Sequence, residues 1–358
     1  MAQTPLGAEL IETVRRDGPM PVSAFMAKAL LDPSHGYYAT RDPLGAAGDF
    51  VTAPEISQMF GELIGLWAAV VWQSMGMPAR VVLAELGPGR GTLMADALRA
   101  ARTLPPFHAA VEPWLVDASP ALRECQRRTL AGAPVRWAGT FEDLPPGPLL
   151  LVANEFFDAL PIDQFVKAGG QWHERLVGLD AKEALAFAQG SPAIPPLAPA
   201  VMDAADGAIA EICPQGRKLA AGIGRRLAAQ GGAALIIDYG PVRSTTGDSL
   251  QAVRRHRFHG VFDDVGDADL TAHVDFEALA AAAVPARAWG PVTQGDFLRA
   301  LGIETRAGNL ARANPPDAAA DILGRMHRLI GADEMGTLFK VMALAHPALP
   351  PPPGLATA

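Results

Sequence analysis

Val81-Val82-Leu83-Ala84-Glu85-Leu86-Gly87-Pro88-Gly89-Arg90-Gly91-Thr92-Leu93 is the stretch on which the fold turns. Residues 81–86 are short and apolar apart from Glu85, the pattern of a strand buried on both faces. Three alternating glycines close it. They let the backbone turn sharply and approach a ligand where a Cβ would collide. Thr92 to Ala101 then reads as a helix. Working outward, strand-like runs recur at 111–116, 134–138, 149–153 and 233–238, with a last one at 338–344. Helical patterns at 119–131 and 214–230 fall between them. Strands alternating with helices predict an α/β fold with a parallel sheet covered on both faces.

The spacing of the turn selects its ligand. A dinucleotide fingerprint is G-x-G-x-x-G, whereas this order is G-x-G-x-G, and Thr92 stands where the fingerprint wants glycine. Glu85 ends the strand, where a carboxylate repels a pyrophosphate. It suits a cofactor that carries an ammonium and a sulfonium and no phosphate, S-adenosyl-L-methionine. Gly87, Pro88, Gly89 and Gly91 are the candidate seat. Asp117, with Ala118 beside it, ends the next strand and is placed to take both ribose hydroxyls as charge-assisted hydrogen bonds. Phe141 and Glu142 follow the third strand, where an aromatic ring and an acid suit adenine. Asn154, Glu155 and Asp158 interrupt an apolar segment after the fourth strand. A helical turn there sets Glu155 and Asp158 on one face, a pair able to hold a guanidinium.

Elsewhere, helices are expected at about 6–17, 23–31 (with Ser23 as N-cap) and 55–75, the last with Leu66 and Val70 in its core stripe. Residues 32–54 read as a loop, from which Asp49, Thr52 and Glu55 can close over a cofactor and exclude water. Residues 163–188 read as inserted antiparallel strands and 239–270 as a long polar loop. The domain expectation is a helical cap or lid at 1–78, a catalytic domain at 79–346 with insertions near 161–210 and 239–275, and a disordered Pro-rich tail at 347–358.

Glu85 to Leu93, with Gly36-Tyr37-Tyr38, 48–62, Asn154 to Ile162, Ile237-Asp238-Tyr239-Gly240 and 269–276, resemble the MidA family of S-adenosyl-L-methionine-dependent methyltransferases. That family comprises bacterial relatives of a mitochondrial complex I assembly factor. The resemblance implies a class I (Rossmann-like) fold with a mostly parallel seven-stranded sheet, an N-terminal helical cap and an antiparallel insertion. It also implies methylation of an arginine in a protein substrate such as a complex I core subunit. His259 and His273 flank the 239–276 region as candidates to accept a proton, with Asp275 placed to orient one of them.

Composition bounds the alternatives. The 358 residues are 49% hydrophobic and 19% charged, enough apolar side chain for a sizeable core. Thirty basic residues against 38 acidic leave −8, which disfavours nucleic acid as a partner. Arg254, Arg255 and Arg257 form the one basic run, a solvated surface or a dock for an acidic partner. Cys125 and Cys213 make no disulfide framework, and no metal set is complete. No apolar run reaches the roughly 18 residues of a membrane span, and the acidic N-terminus lacks the features of a presequence, so a bacterial cytoplasmic location is expected. Two rival readings stay open: an assembly chaperone on the same fold with little catalysis, and an NAD-dependent oxidoreductase. Oligomeric state is not legible.

Overall fold

The computed structural model describes residues 4–40 and 51–355. The chain divides into two compact units. The first comprises Met1–Phe50, Asp158–Lys218 and Pro241–Ala278; the second comprises Val51–Phe157, Leu219–Gly240 and Leu279–Ala358.

The second unit holds a seven-stranded sheet. Its strands, numbered within the sheet, are β1 (Val81–Leu86), β2 (Val111–Val116), β3 (Arg136–Ala138), β4 (Leu149–Asn154), β5 (Gly232–Tyr239), β6 (Arg287–Thr293) and β7 (Phe339–Ala345). Their spatial order is β6-β7-β5-β4-β1-β2-β3. The five strands from β3 to β5 run parallel, and β7 is antiparallel to both β5 and β6. β1 and β4 are buried at every position, as strands covered on both faces must be. On one face Leu83, Val152, Leu235 and Val341 pack with Phe60, Ile64 and Trp67 of the Gln58–Ser74 helix. The order reverses between β1 and β4: one connection runs toward β2 and the other toward β5. Doubly wound folds bind ligands at such a switch point, beyond the carboxyl ends of the strands.

The first unit is built on an antiparallel five-stranded sheet, in which Gln171–Leu179 pairs with Met20–Pro21, Asp163–Ala168 and Leu185–Ala193, and Ile209–Ile212 joins Asp163–Ala168. The Pro5–Asp17 and Val22–Leu31 helices contribute Leu6, Leu10, Phe25 and Met26 to its core.

Several expectations are corrected. Residues 239–270 are not one loop: Gln251–Arg254, Arg257–His259 and Asp269–Thr271 form a three-stranded sheet. Its strands are short, and beside the buried Asp269 and Thr271 only Ala252 and Leu270 supply buried apolar side chains. The helix expected at 55–75 is two, because Ser57 is extended and caps Gln58–Ser74 by accepting from the Met59 N–H. Leu66 and Val70 are each 43% exposed and lie off its core stripe. Pro21, not Ser23, precedes the second helix. Residues 51–78, assigned above to the cap, pack within the second unit. The tail is ordered through residue 355, where Leu355 is fully buried in the second unit's core. Its prolines forbid helix and ladder, but not an extended segment lying on a core. β6 was missed because Gly290 and Pro291 split its pattern at a register shift against β7. Asp49 and the other residues of 41–50 lie outside the described residues.

Candidate active site at the carboxyl edge of the central sheet

The turn after β1 takes the form its glycines predict. Gly87, Gly89 and Gly91 have φ of 59°, 51° and 82°, a region that side chains with a Cβ resist. At Gly87 a Cβ would also stand 2.7 Å from the Phe156 ring. The Gly87 N–H donates to Val116 O at 3.1 Å, the Asp117 N–H to Ala138 O at 3.2 Å, and the Glu155 N–H to Ile237 O at 2.9 Å. The sheet ladder therefore carries on into the site loops and sets their register. Pro88 is buried, while Ala118 is exposed and Thr52 half-buried.

Glu85 is 3% exposed. Burial pushes its carboxyl up to about 8, against the pull of the Met94 backbone N–H, and the Asp117 charge adds to the rise. Its Oε2 has no hydrogen-bond partner among the described residues, and neither does Asn154 Oδ1 at the end of β4. An unsatisfied buried acceptor is costly, and these two stand at the ends of adjacent strands, Glu85 opposite Val152 in the ladder. Once ionised, Glu85 only accepts at this atom, as does the Asn154 amide oxygen. The pair suits a ligand rich in donors and positive charge, and does not suit a phosphate. The residues present thus fit S-adenosyl-L-methionine.

Asp117 is fixed from two sides. Its Oδ1 accepts from Ser119 N at 2.8 Å and its Oδ2 from Gln126 Nε2 at 2.7 Å. Gln126 is fully buried, donates also to Gly89 O at 2.8 Å, and accepts from Trp137 Nε1 at 2.8 Å. One amide thus ties the glycine turn, the end of β2 and β3. Sequence reasoning missed it, although a signal existed: Leu122, Gln126 and Leu130 share one face of the helix that follows Asp117. Phe141 is buried with the Arg226 guanidinium 5.8 Å from its ring centroid, and Glu142 is exposed on a short 3₁₀ turn.

The segment after β4 is not helical. Glu155 has φ of 50° and leads into a bend and a turn, so the helical pairing of Glu155 with Asp158 does not occur. Glu155 Oε1 accepts from Ala53 N at 3.1 Å and from Asn154 Nδ2 at 3.2 Å. Glu55 accepts from Thr92 Oγ1 at 2.5 Å. The short Ala53–Ile56 helix is therefore pinned both to the end of β4 and to the helix that leaves the glycine turn. Asp238, at the end of β5, is also buried and accepts from Phe157 N at 3.0 Å, bracing the same segment.

In the first unit Asp158 is buried, and its backbone oxygen accepts from Ala272 N at 2.9 Å. Tyr38 donates to Asp269 Oδ2 at 3.1 Å. Burial first, then the Asp269 and Asp158 charges, hold the Tyr38 phenol well above its ordinary range. His259 Nε2 lies 3.2 Å from Asp264 Oδ2. The His273 residue is exposed, and its backbone N–H donates to Ser249 Oγ at 2.8 Å. Asp275 caps the helix after it, accepting from Ala278 N and from the Ser244 hydroxyl.

Comparison with known proteins agrees with this geometry. Residues 63–292 match the model of a family described as S-adenosyl-L-methionine-dependent methyltransferases. The chain is 35% identical to "Protein arginine methyltransferase NDUFAF7, mitochondrial" of Danio rerio, over 96% of this chain and 86% of that protein. It is 34% identical to the protein of the same name in Homo sapiens, over 95% and 83%. A Burkholderia thailandensis structure bound to S-adenosyl-homocysteine superposes with a TM-score of 0.81 at 30% identity, covering 100% of this chain and 96% of that one. The expected bacterial cytoplasmic location is overturned by the curated relatives, which are named as mitochondrial. The physical reason is that a targeting segment is read by a receptor, so a folded domain does not carry its compartment in its core. Among the described residues no helix is long and apolar enough to cross a membrane. Turn, sheet order and likeness agree: the chain belongs to the MidA family of S-adenosyl-L-methionine-dependent methyltransferases.

Proposed function

We propose that this methyltransferase modifies an arginine of a protein substrate, with a core subunit of respiratory complex I as the candidate. The observation that carries the reading is the anionic segment after β4. Glu155 is held at the carboxyl edge of the sheet by Ala53 N and Asn154 Nδ2. Carboxylates are the natural partners of a guanidinium, which they fix in plane by paired hydrogen bonds. The curated relatives are named protein arginine methyltransferases, which supports the same substrate class.

When bound, the cofactor supplies an electrophilic methyl group on a sulfonium. Glu85 and Asn154 offer acceptors to the donors and positive charge of its amino-acid end, and Asp117 offers acceptors to the ribose. The Gly87–Gly91 turn admits the ligand where a Cβ would not. Positioning dominates such an in-line displacement. Glu155 would hold the attacking nitrogen with its lone pair toward that methyl group and would accept the proton that the substituted nitrogen sheds. Proton acceptance is assigned there because the His259 ring already faces Asp264 and the His273 residue is exposed to water.

The test is incubation of the purified protein with isotopically labelled cofactor and a recombinant complex I core subunit, read by peptide mass spectrometry. Label on an arginine is expected, with kcat down about 100-fold in Glu155→Gln while cofactor affinity holds within about twofold. Label on another residue type, or full activity in Glu155→Gln, would overturn the reading.

A further inference from the structure

In the first unit, Gln251–Arg254 and Arg257–His259 pair antiparallel with Arg254 opposite Arg257. Arg255 and His256 are left as a two-residue turn with φ of 51° and 60°. Two successive left-handed residues make the turn that hairpins prefer, and Asn-Gly is its ordinary sequence because a Cβ resists this region. Two bulky cationic residues are a strained choice, and strain of this kind points to a role for the side chains themselves.

The hairpin is held firmly at its base and open at its tip. Ala252 is fully buried. Arg254 pairs with Asp264 and, at 3.5 Å, with Asp267, and His259 also faces Asp264. Beyond that anchor Arg255, His256 and Arg257 are exposed, and Phe258 is 81% exposed. An aromatic ring set among arginines is the composition of interface hot spots. The chain carries −8, so this basic tip stands out against its own background.

We propose that the Arg255–Phe258 tip is a docking arm for an acidic protein segment that carries apolar side chains, placed on the protein substrate. The inference rests on the protein-substrate reading above. Arg257 presents a planar fork to carboxylates, and Phe258 covers an adjacent apolar side chain. Arg254 is neutralised by its own acids, so it anchors the arm and adds little to the field at the tip. Nucleic acid fits less well, because phosphate-backbone binding needs a longer track of cations.

The experiment uses the full chain and fluorescence anisotropy at low salt. The probes are a labelled peptide of about a dozen Glu, Asp and Leu residues and a single-stranded oligonucleotide of equal charge. The wild-type protein should bind the peptide more tightly. Arg257→Glu with Phe258→Ser should weaken that binding about tenfold, with unchanged calorimetric affinity for S-adenosyl-homocysteine as the folding control. Arg255→Asn with His256→Gly should raise the melting temperature while also weakening the peptide. With the core subunit as substrate, the Arg257→Glu, Phe258→Ser variant should raise KM about tenfold at constant kcat. Equal peptide binding by wild type and that variant, no peptide binding by wild type, or tighter binding of the oligonucleotide would each overturn the docking arm. A core subunit left unmethylated by wild type would count against the substrate reading, and the peptide result would still decide the arm.

Discussion

At the scale of single residues, Glu85 carries the most specific chemistry. Burial raises its carboxyl from the ordinary 4.5 to about 8, so at neutral pH the free protein holds it protonated. The native state then keeps a proton that the unfolded chain has shed. This group's stabilisation is complete below the ordinary carboxyl value and is lost as pH rises through about 8. Melting temperature should therefore fall between pH 6 and pH 9, and Glu85→Gln should flatten that slope. A cationic ligand reverses the preference. Binding of S-adenosyl-L-methionine at pH 7 should release about one proton, seen as calorimetric heats that depend on buffer ionisation. In Glu85→Gln the release should vanish and affinity fall by about 1.5–3 kcal/mol. Buffer-independent heats in the wild-type protein would show that Glu85 does not meet the ligand's charge. Gln126 is the complementary case, a neutral residue whose value lies in three simultaneous bonds. Gln126→Leu should cost about 1–3 kcal/mol in denaturant unfolding by stranding Gly89 O and Trp137 Nε1; a cost near zero would mean that the turn is held without it.

At the scale of elements, legibility followed how much of the pattern lies within one segment. β1, β4 and β5 were readable because each is a short apolar run buried on both faces. The glycine turn was readable because its backbone conformation demands glycine. The three-stranded sheet at 251–271 was not, since its strands are only three or four residues long and its order depends on Leu250, Ala252 and Leu270 joining a core assembled from elsewhere in the chain. The role of Glu155 was legible only in part. Its acid character and position after β4 are in the sequence, but its φ and its bond to Ala53 N come from tertiary packing. Helix packing makes its own prediction. A Cβ at Gly224, in the Pro214–Gln230 helix, would lie 1.8 Å from Ala283 O. Gly224→Ala must push the two segments apart, and a loss of about 1–3 kcal/mol in denaturant unfolding is expected. Unchanged stability would show that this contact yields freely.

At the scale of the whole molecule, the sheet order β6-β7-β5-β4-β1-β2-β3 brings Glu85, Asp117 and Asn154 from three separate strands to one edge. No single motif contains all three, and only the fold makes them a site. A ligand seated there binds the native state alone and must stabilise it. Saturation at a hundredfold excess over Kd corresponds to about 2.7 kcal/mol. The most direct test is calorimetric titration of S-adenosyl-homocysteine into wild type and Gly89→Val. Wild type should bind one equivalent, and Gly89→Val, whose Cβ faces a φ of 51°, should show no heat of binding while retaining the wild-type circular dichroism spectrum. Undiminished affinity in the folded variant would contradict the seat proposed for the cofactor at residues 85–91.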